Sequence, residues 1–280
     1  MEAVKIERDT NPGAVQGTLD PTATTLSEGV FRKLRSEILL CKLEPGRKLR
    51  IAELTLAYGV SGSSVREGLC RLASAGLVKW EGQRGFRVAE ISVAELLDLT
   101  KNRIWIETIA LRAAISRGQR DWEAEILAAG HRLGPQQPWY TPENPNDLAD
   151  NWITCHRAFH RILVSACGSA QLLAMRDQLH DLCDRYKRMS GMRATPPRDL
   201  AAEHKALADA VLNRDQHLAV MLIEEHFVRS VDITLKAMGS SRVDIERTMT
   251  ELRAQIRAGS FSSQSGGASS TSKRQSRARH

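Results

Sequence analysis

The order of periodicities between residues 26 and 88 constrains this chain more than any other feature. Leu26, Val30, Leu34 and Ile38 recur at helical spacing, and the stripe stops before Pro45-Gly46. A short helix is expected over 51–58, ended by Gly59. Ser63 or Ser64 can cap a third helix running to Ala75, with Glu67 placed to complete a capping box from Ser64. Gly76 stops it. Two β-like runs follow, at 77–80 and 86–88, with Gly82, Gln83, Arg84 and Gly85 as the turn between them. Three helices closed by a hairpin is the order of a winged helix-turn-helix. In that unit the third helix fits a major groove, and the hairpin tip reaches the backbone or the neighbouring groove.

This reading assigns candidate contacts to double-stranded DNA. If Val65, Leu69 and Leu72 face the core, then Ser63, Ser64, Arg66 and Glu67 stand at the exposed start of the third helix. The amides and dipole of that helix end also favour phosphate. Gln83 and Arg84 sit at the hairpin tip, and Gly82 and Gly85 let the backbone approach closely. Arg50 and Arg71 are candidate phosphate contacts, although a solvated charge is the commoner role for either alone. A net charge of +7 permits an acidic partner without selecting one. A single small winged helix offers limited contact area, so a homodimer on a palindromic operator is expected.

After Ser92 the strand signals end. Helices are expected over 93–118, 121–132, 146–167, 169–190, 200–212 and 215–238, with a Pro-rich loop over 135–145. The fold class is therefore mainly α: a winged helix-turn-helix with a small β-hairpin wing, then an all-α bundle. The expected division is a disordered arm over 1–24, the DNA-binding domain over 25–92 and a helical effector and dimerisation domain over 93–240. A helical extension and a disordered basic tail, ending in Lys273, Arg274, Arg277 and Arg279, fill 241–280. Five cysteines, an odd count without a CxxC pair, argue against a disulfide framework or a thiolate zinc site. The polar N-terminus does not resemble a signal peptide, and no apolar run approaches the roughly 20 residues that span a bilayer. A cytoplasmic protein with no membrane partner is expected.

The second constellation is histidine-based. Leu148, Trp152, His156, Phe159, His160 and Leu163 share one helical face, so both histidines are expected to point inward, one turn apart. His204 lies on a stripe with Leu200, Leu207 and Val211, and His226 on one with Leu218 and Leu222. Across an antiparallel pair of helices turning at Asn213-Arg214-Asp215, these two fall at similar levels. A lone histidine on an apolar face is usually a core residue. Four on core stripes of three helices point to a shared metal ion, with imidazole suited to Zn, Ni or Fe. Arg103 interrupts the apolar stripe of Leu96, Leu99, Ile106 and Ala110 and needs a buried partner. That partner is either Glu107 at i+4 or the carboxylate of a bound acid, which the paired donors of a guanidinium fit. Arg229, on the His226 face, and Arg185 and Tyr186 are further candidates for an effector pocket.

These residues also carry a resemblance. Gly59-Val60-Ser61, Val65-Arg66-Glu67-Gly68-Leu69, Gly76-Leu77-Val78 and Arg84-Gly85-Phe86-Arg87-Val88 resemble the GntR family of bacterial regulators. The resemblance implies that Arg66 and the wing residues near Gln83 and Arg84 contact the operator. Many members carry an arginine near the position of Gly62, which this chain lacks, so base specificity is left open. Arg103 and Glu107, Ala158-Phe159-His160, Gly168, Glu203-His204 and His226 resemble the FCD effector domain of the FadR-like branch. That domain often holds a divalent metal through three histidines and an Asp, and here the Asp position is His156. An extra neutral ligand should favour borderline-soft metals over Mg or Ca. Asp121-Trp122-Glu123-Ala124-Glu125, His156-Arg157-Ala158-Phe159-His160, Cys167-Gly168-Ser169 and Arg185-Tyr186 are similar to the carbon-starvation subgroup of these regulators. This implies a repressor that answers to a small dicarboxylate such as glutarate. A regulator for which the metal ion itself is the signal is the alternative. An enzyme is not expected, because no general base stands at HExxH-like spacing.

Overall fold

The computed structural model describes residues 18–20, 22–134, 147–189 and 198–259. The Pro-rich segment over 135–145, most of the expected N-terminal arm and the basic tail lie outside the described residues.

The chain opens with α1 (Leu26–Leu39), capped by the Thr25 hydroxyl, which accepts from the Glu28 amide at 3.1 Å. β1 (Lys48–Leu49), α2 (Ile51–Tyr58) and α3 (Gly62–Ser74) follow. Gly59 ends α2 in the left-handed region, at φ 64°. The N-cap of α3 is Ser61, not Ser63 or Ser64. Ser61 is the residue still extended (φ −68°, ψ 152°), and its Oγ accepts from the Ser64 amide at 3.2 Å. The expected capping box does not form either. The Glu67 carboxylate instead accepts from Ser27 Oγ at 2.9 Å and ties α3 to the start of α1. These two helices pack closely at Gly68. A Cβ there would lie 2.8 Å from Val30 Cγ1, and Val30 is fully buried and cannot give way.

The wing is a three-stranded sheet rather than a bare hairpin. β2 (Val78–Trp80) and β3 (Phe86–Val88) pair antiparallel, with Val78 opposite Val88. β1 adds to the far edge of β3, with Leu49 opposite Phe86. Val30, Leu34, Ile38, Leu54, Val65, Leu69, Leu72 and Phe86 form one buried core beneath these elements.

A second core lies within the helices that follow: α4 (Val93–Arg117), α5 (Arg120–Leu133), α6 (Asp147–Ser165), α7 (Ala170–Met189), α8 (Leu200–Leu212), α9 (Gln216–Ala237) and α10 (Arg242–Gly259). Ser92 caps α4 by accepting from the Glu95 amide at 3.1 Å. α4 is the central column, packed against α6, α7, α9 and α10. Ile245, Leu252 and Ile256 of α10 join the same core, which therefore runs past residue 240. α7 touches both cores, because Leu182 on its outer side packs against the first. Among the described residues no helix is long and apolar enough to cross a membrane.

Candidate functional site

The histidines expected to converge do so. α6 carries His156 and His160, α8 carries His204 and α9 carries His226. All four rings are at most 5% exposed, and one donor atom from each lies within 4.8 Å of the others. Trp152 stacks on His156, with ring centroids 4.5 Å apart and planes 19° from parallel. The Nε2 atoms of His156 and His160 are 3.1 Å apart.

This crowding is tolerable because the rings are neutral. Burial is the main cause, and it holds His156 and His160 well below the ordinary histidine value. His204 is lowered to about 4 and His226 to about 3, again chiefly by burial. A neutral imidazole is the form that binds metal. Glu203 accepts from His226 Nδ1 at 3.0 Å, which leaves Nε2 of that ring as the available donor. Arg198 fixes the same carboxylate through Nε at 2.8 Å and Nη2 at 2.6 Å. The Nε2 of His204 is buried with no hydrogen-bond partner. Four neutral nitrogens, one of them orphaned, and a carboxylate orienting one ring from behind form a donor set that fits a divalent transition metal.

The depressed basicity predicts a direction for stability. In the unfolded chain these histidines take up protons near pH 6.5, while in the metal-free fold they stay neutral to much lower pH. Their contribution is therefore fully present above pH 6.5 and is lost as pH falls toward the folded values. Each histidine should cost about 1.4 kcal/mol per pH unit across that window. Melting curves of metal-free protein between pH 7.5 and 5 should show a falling midpoint. A midpoint independent of pH would mean that the four rings are not held neutral in the fold.

A cavity opens onto His156 and His226, walled by Trp152, Leu200 and Ile233, with Lys187, Arg188, Arg198 and the acid Asp184 also lining it. A second, narrow compartment adjoins it and shares Lys187, Ser230 and Thr234. Arg103 lines this second compartment, facing inward as its place on the stripe implied. Its guanidinium lies over the Phe227 ring at 4.0 Å and meets Glu107 only at 3.7 Å. The shorter bond to Glu107, at 2.9 Å, belongs to Arg176 of α7. Arg103 Nε and Nη2, Arg176 Nη2 and both nitrogens of His180 are buried without a hydrogen-bond partner. The seam between α4 and α7 thus places two guanidiniums around the buried Glu107 carboxylate, and Arg176 also pairs with Asp177 at 2.9 Å.

The other effector candidates fall elsewhere. Arg185 donates to the Ala89 carbonyl, and Tyr186 bonds the Glu95 carboxylate and accepts from the Ser92 amide at 3.2 Å. Both sit at the junction with the winged helix and line neither compartment. Their place is decided by chain segments more than 90 residues away in sequence, which no local pattern reports. Arg229 is 55% exposed and pairs with Glu203 and Glu225 on the outer surface of α9. No motif in the sequence marks Lys187 or Arg198; the cavity and the Glu203 pair distinguish them.

At the other end of the molecule, Arg66, Gln83 and Arg84 are exposed, and Gly85 takes φ 86° beside the wing tip. Ser63 is exposed and Ser64 half-buried at the start of α3, both within 3.0 Å of Ser61 Oγ. Arg50 is 64% exposed and pairs with Glu53 at 2.6 Å. Arg71 lies over Phe31 and bridges to Glu28 at 2.5 Å, so it already has partners within the domain. Trp80 of β2, 67% exposed, was not singled out in the sequence.

Comparison with known proteins places these two halves. The family model for bacterial regulatory proteins of the gntR family matches residues 26–88, and the FCD domain model matches residues 96–229. The HTH-type transcriptional repressor GlaR of Escherichia coli is 34% identical over 75% of this chain and 96% of its own. The HTH-type transcriptional regulator BphR of Paraburkholderia xenovorans is 35% identical over 75% of this chain and 85% of its own. Among solved structures, E. coli McbR/YncC superimposes with a TM-score of 0.61 over 76% of this chain and 98% of its own, at 22% identity, a likeness of fold.

Proposed function

The chain belongs to the GntR family of bacterial regulatory proteins and carries an FCD domain, and on that footing we propose a repressor whose grip on its operator is set by a small organic acid bound beside a divalent transition metal. It is a DNA-binding transcriptional regulator and not an enzyme. Regulators of this family bind operators and typically act as dimers.

The observation that carries the proposal is the buried four-histidine cluster, two of whose rings, His156 and His226, line a cavity with Lys187, Arg188, Arg198 and Asp184 in its walls. His156, His160, His204 and His226 would hold the ion, with Zn, Ni or Fe suited to imidazole. The ion would supply positive charge for a carboxylate where no protein acid competes among the four ligands. The resemblance in the sequence makes glutarate the first acid to test. A thermal-shift screen of organic acids on metal-loaded protein provides the test, because a ligand selective for the folded state raises its melting point. No shift with any acid would remove the organic-acid reading.

One observation favours a second reading. Four imidazoles can complete a tetrahedral site, which is the closed form of structural zinc sites. In that case the ion itself would be the signal. Removing and restoring metal, with and without acid, separates the two readings.

On the DNA side, exposed Arg66 makes no ion pair among the described residues and projects from the first turns of α3. Arg66→Ala should cost about 1–3 kcal/mol of specific operator binding and relax selectivity at one base position. Binding overall should weaken steeply with salt. A footprinting titration showing unchanged affinity would remove Arg66 from the contact set.

A further inference from the structure

The wing carries an aromatic ring that the fold does not cover. In the pairing of β2 with β3, Val78 stands opposite Val88 and Trp80 opposite Phe86, so these four side chains share one face of the sheet. Val78, Phe86 and Val88 are at most 3% exposed and belong to the winged-helix core. Trp80, the last residue of β2, carries that face past the rim of the core and into solvent. It is the one Phe, Tyr or Trp that is exposed among the described residues, and there its ring stacks on no other ring or cation and its Nε1–H meets no acceptor. An indole has a large apolar body and one donor, and both usually find partners.

The opposite face of the same sheet is basic. Lys79 stands beside Arg87, and Arg87 beside Lys48, one cation from each strand. Like charges set opposite one another across strands repel. Arg87 is answered by Glu81 at 3.4 Å, but Lys48, Lys79 and Arg84 at the tip make no ion pair among the described residues. The strand order β1-β3-β2 leaves β2 at a free edge, so side chains from both of its faces can bracket one extended polymer strand. An apolar ring with a single donor, flanked by unpaired cations, matches the alternation of sugar and phosphate along DNA. The winged helix of a DNA-binding regulator brings that polymer to this edge.

We propose that Trp80 is a DNA-backbone contact: its ring lies on a deoxyribose beside the wing tip, its Nε1–H donates to the adjoining phosphate, and Lys79 grips the same DNA strand from the other face of β2. Trp80 then positions the wing without reading sequence. Because the indole is neutral, it displaces no counterion, and its share of the affinity does not fall with salt as that of Lys79 does. Neither metal nor organic acid enters, so this contact holds or fails independently of the effector reading.

The test titrates full-length, acid-free protein with two duplexes of equal length, one selected by the protein from random-sequence DNA and one of unselected sequence. Trp80→Ala should weaken binding to both by the same factor, about 5- to 30-fold, and leave the slope of log affinity against log salt unchanged. Lys79→Gln should reduce that slope by about one. Trp80→Phe, which keeps a ring and loses the donor, should fall between wild type and Trp80→Ala. Melting curves confirm folding, and an exposed side chain leaves little stability to lose. The difference in emission between wild type and Trp80→Phe isolates the Trp80 signal, which DNA should shield from acrylamide. Wild-type affinity of Trp80→Ala for both duplexes would overturn the contact. A loss confined to the selected duplex would place the ring on a base and overturn the backbone assignment. Shielding of Trp80 by rising protein concentration without DNA would give the ring to a protein interface and overturn it as well.

Discussion

Wild type should emerge from purification with a bound transition-metal ion, and a chain carrying His160→Ala together with His204→Ala should emerge without one. These two rings come from α6 and α8, so their loss cuts the cluster on two of its three helices. His156 and His226 would remain, a two-nitrogen site without the enclosure that makes binding tight. Loss of only an outer-shell partner typically costs about 10- to 100-fold in metal affinity, so loss of two ligands should exceed that. Glu203→Ala, which leaves all four rings but removes the carboxylate acceptor of His226 Nδ1, should fall in the milder range. Stability should follow occupancy: metal present at 1,000 times its dissociation constant adds about 4 kcal/mol to the folded state. The wild-type melting point should therefore rise on adding Zn or Ni, and that of the double variant should not. Operator binding without ligand should survive in the double variant, because the winged helix has its own core. Elemental analysis showing wild-type metal content in the double variant would return these histidines to the role of core residues.

The histidine cluster was legible because three of its rings sit one helical turn from large buried neighbours, whereas the stripe expected for His226 is exposed at Leu218. Phe159 and Leu163 mark the face of His156 and His160, and Leu207 and Val211 mark that of His204. Spacing of this kind reports burial directly. The wing was only partly legible. β1 is two residues long and shows no alternation, so only its pairing with β3 defines it. The residue pattern offers Ser63 or Ser64 as the cap of α3, whereas the cap is Ser61, because backbone conformation rather than residue type decides. What escaped the sequence altogether was contact between distant segments. Arg176 of α7 bonds Glu107 of α4, 69 residues away, at 2.9 Å, and so shares the carboxylate that Arg103 meets at 3.7 Å. Arg198 precedes α8 in a stretch with no periodicity, yet it holds the carboxylate that orients His226.

The second large effect is expected at α7, where the ligand side and the DNA side share one helix. Arg176, His180, Cys183 and Lys187 face the buried seam and the narrow compartment. On the same turns, Asp181 bonds Arg35 of α1 and Arg157 of α6, and Leu182 packs on the winged-helix core. Arg185 and Tyr186 hold the segment from Ala89 to Glu95, which leads from β3 into α4. A rigid helix that contacts the ligand with one face cannot shift without moving the other, and a ligand changes DNA affinity only by favouring one of two such arrangements. Spatial position alone does not establish coupling, so a variant must break the link and spare both ends. Tyr186→Phe removes the hydroxyl that meets the Ser92 amide and Glu95 while keeping the ring. Asp181→Asn weakens the tie to Arg35. Each variant should bind metal and glutarate within about threefold of wild type, and so should operator DNA in the absence of acid. The acid-driven change in operator affinity, typically about 5- to 150-fold for such coupling, should shrink in each single variant and nearly vanish in the double. Linkage requires the reciprocal result as well: operator DNA should alter glutarate affinity by the same factor in wild type and by almost none in the double variant. If the double variant releases operator with the wild-type acid dependence, α7 is a spectator, and the signal reaches the winged helix through α4 alone.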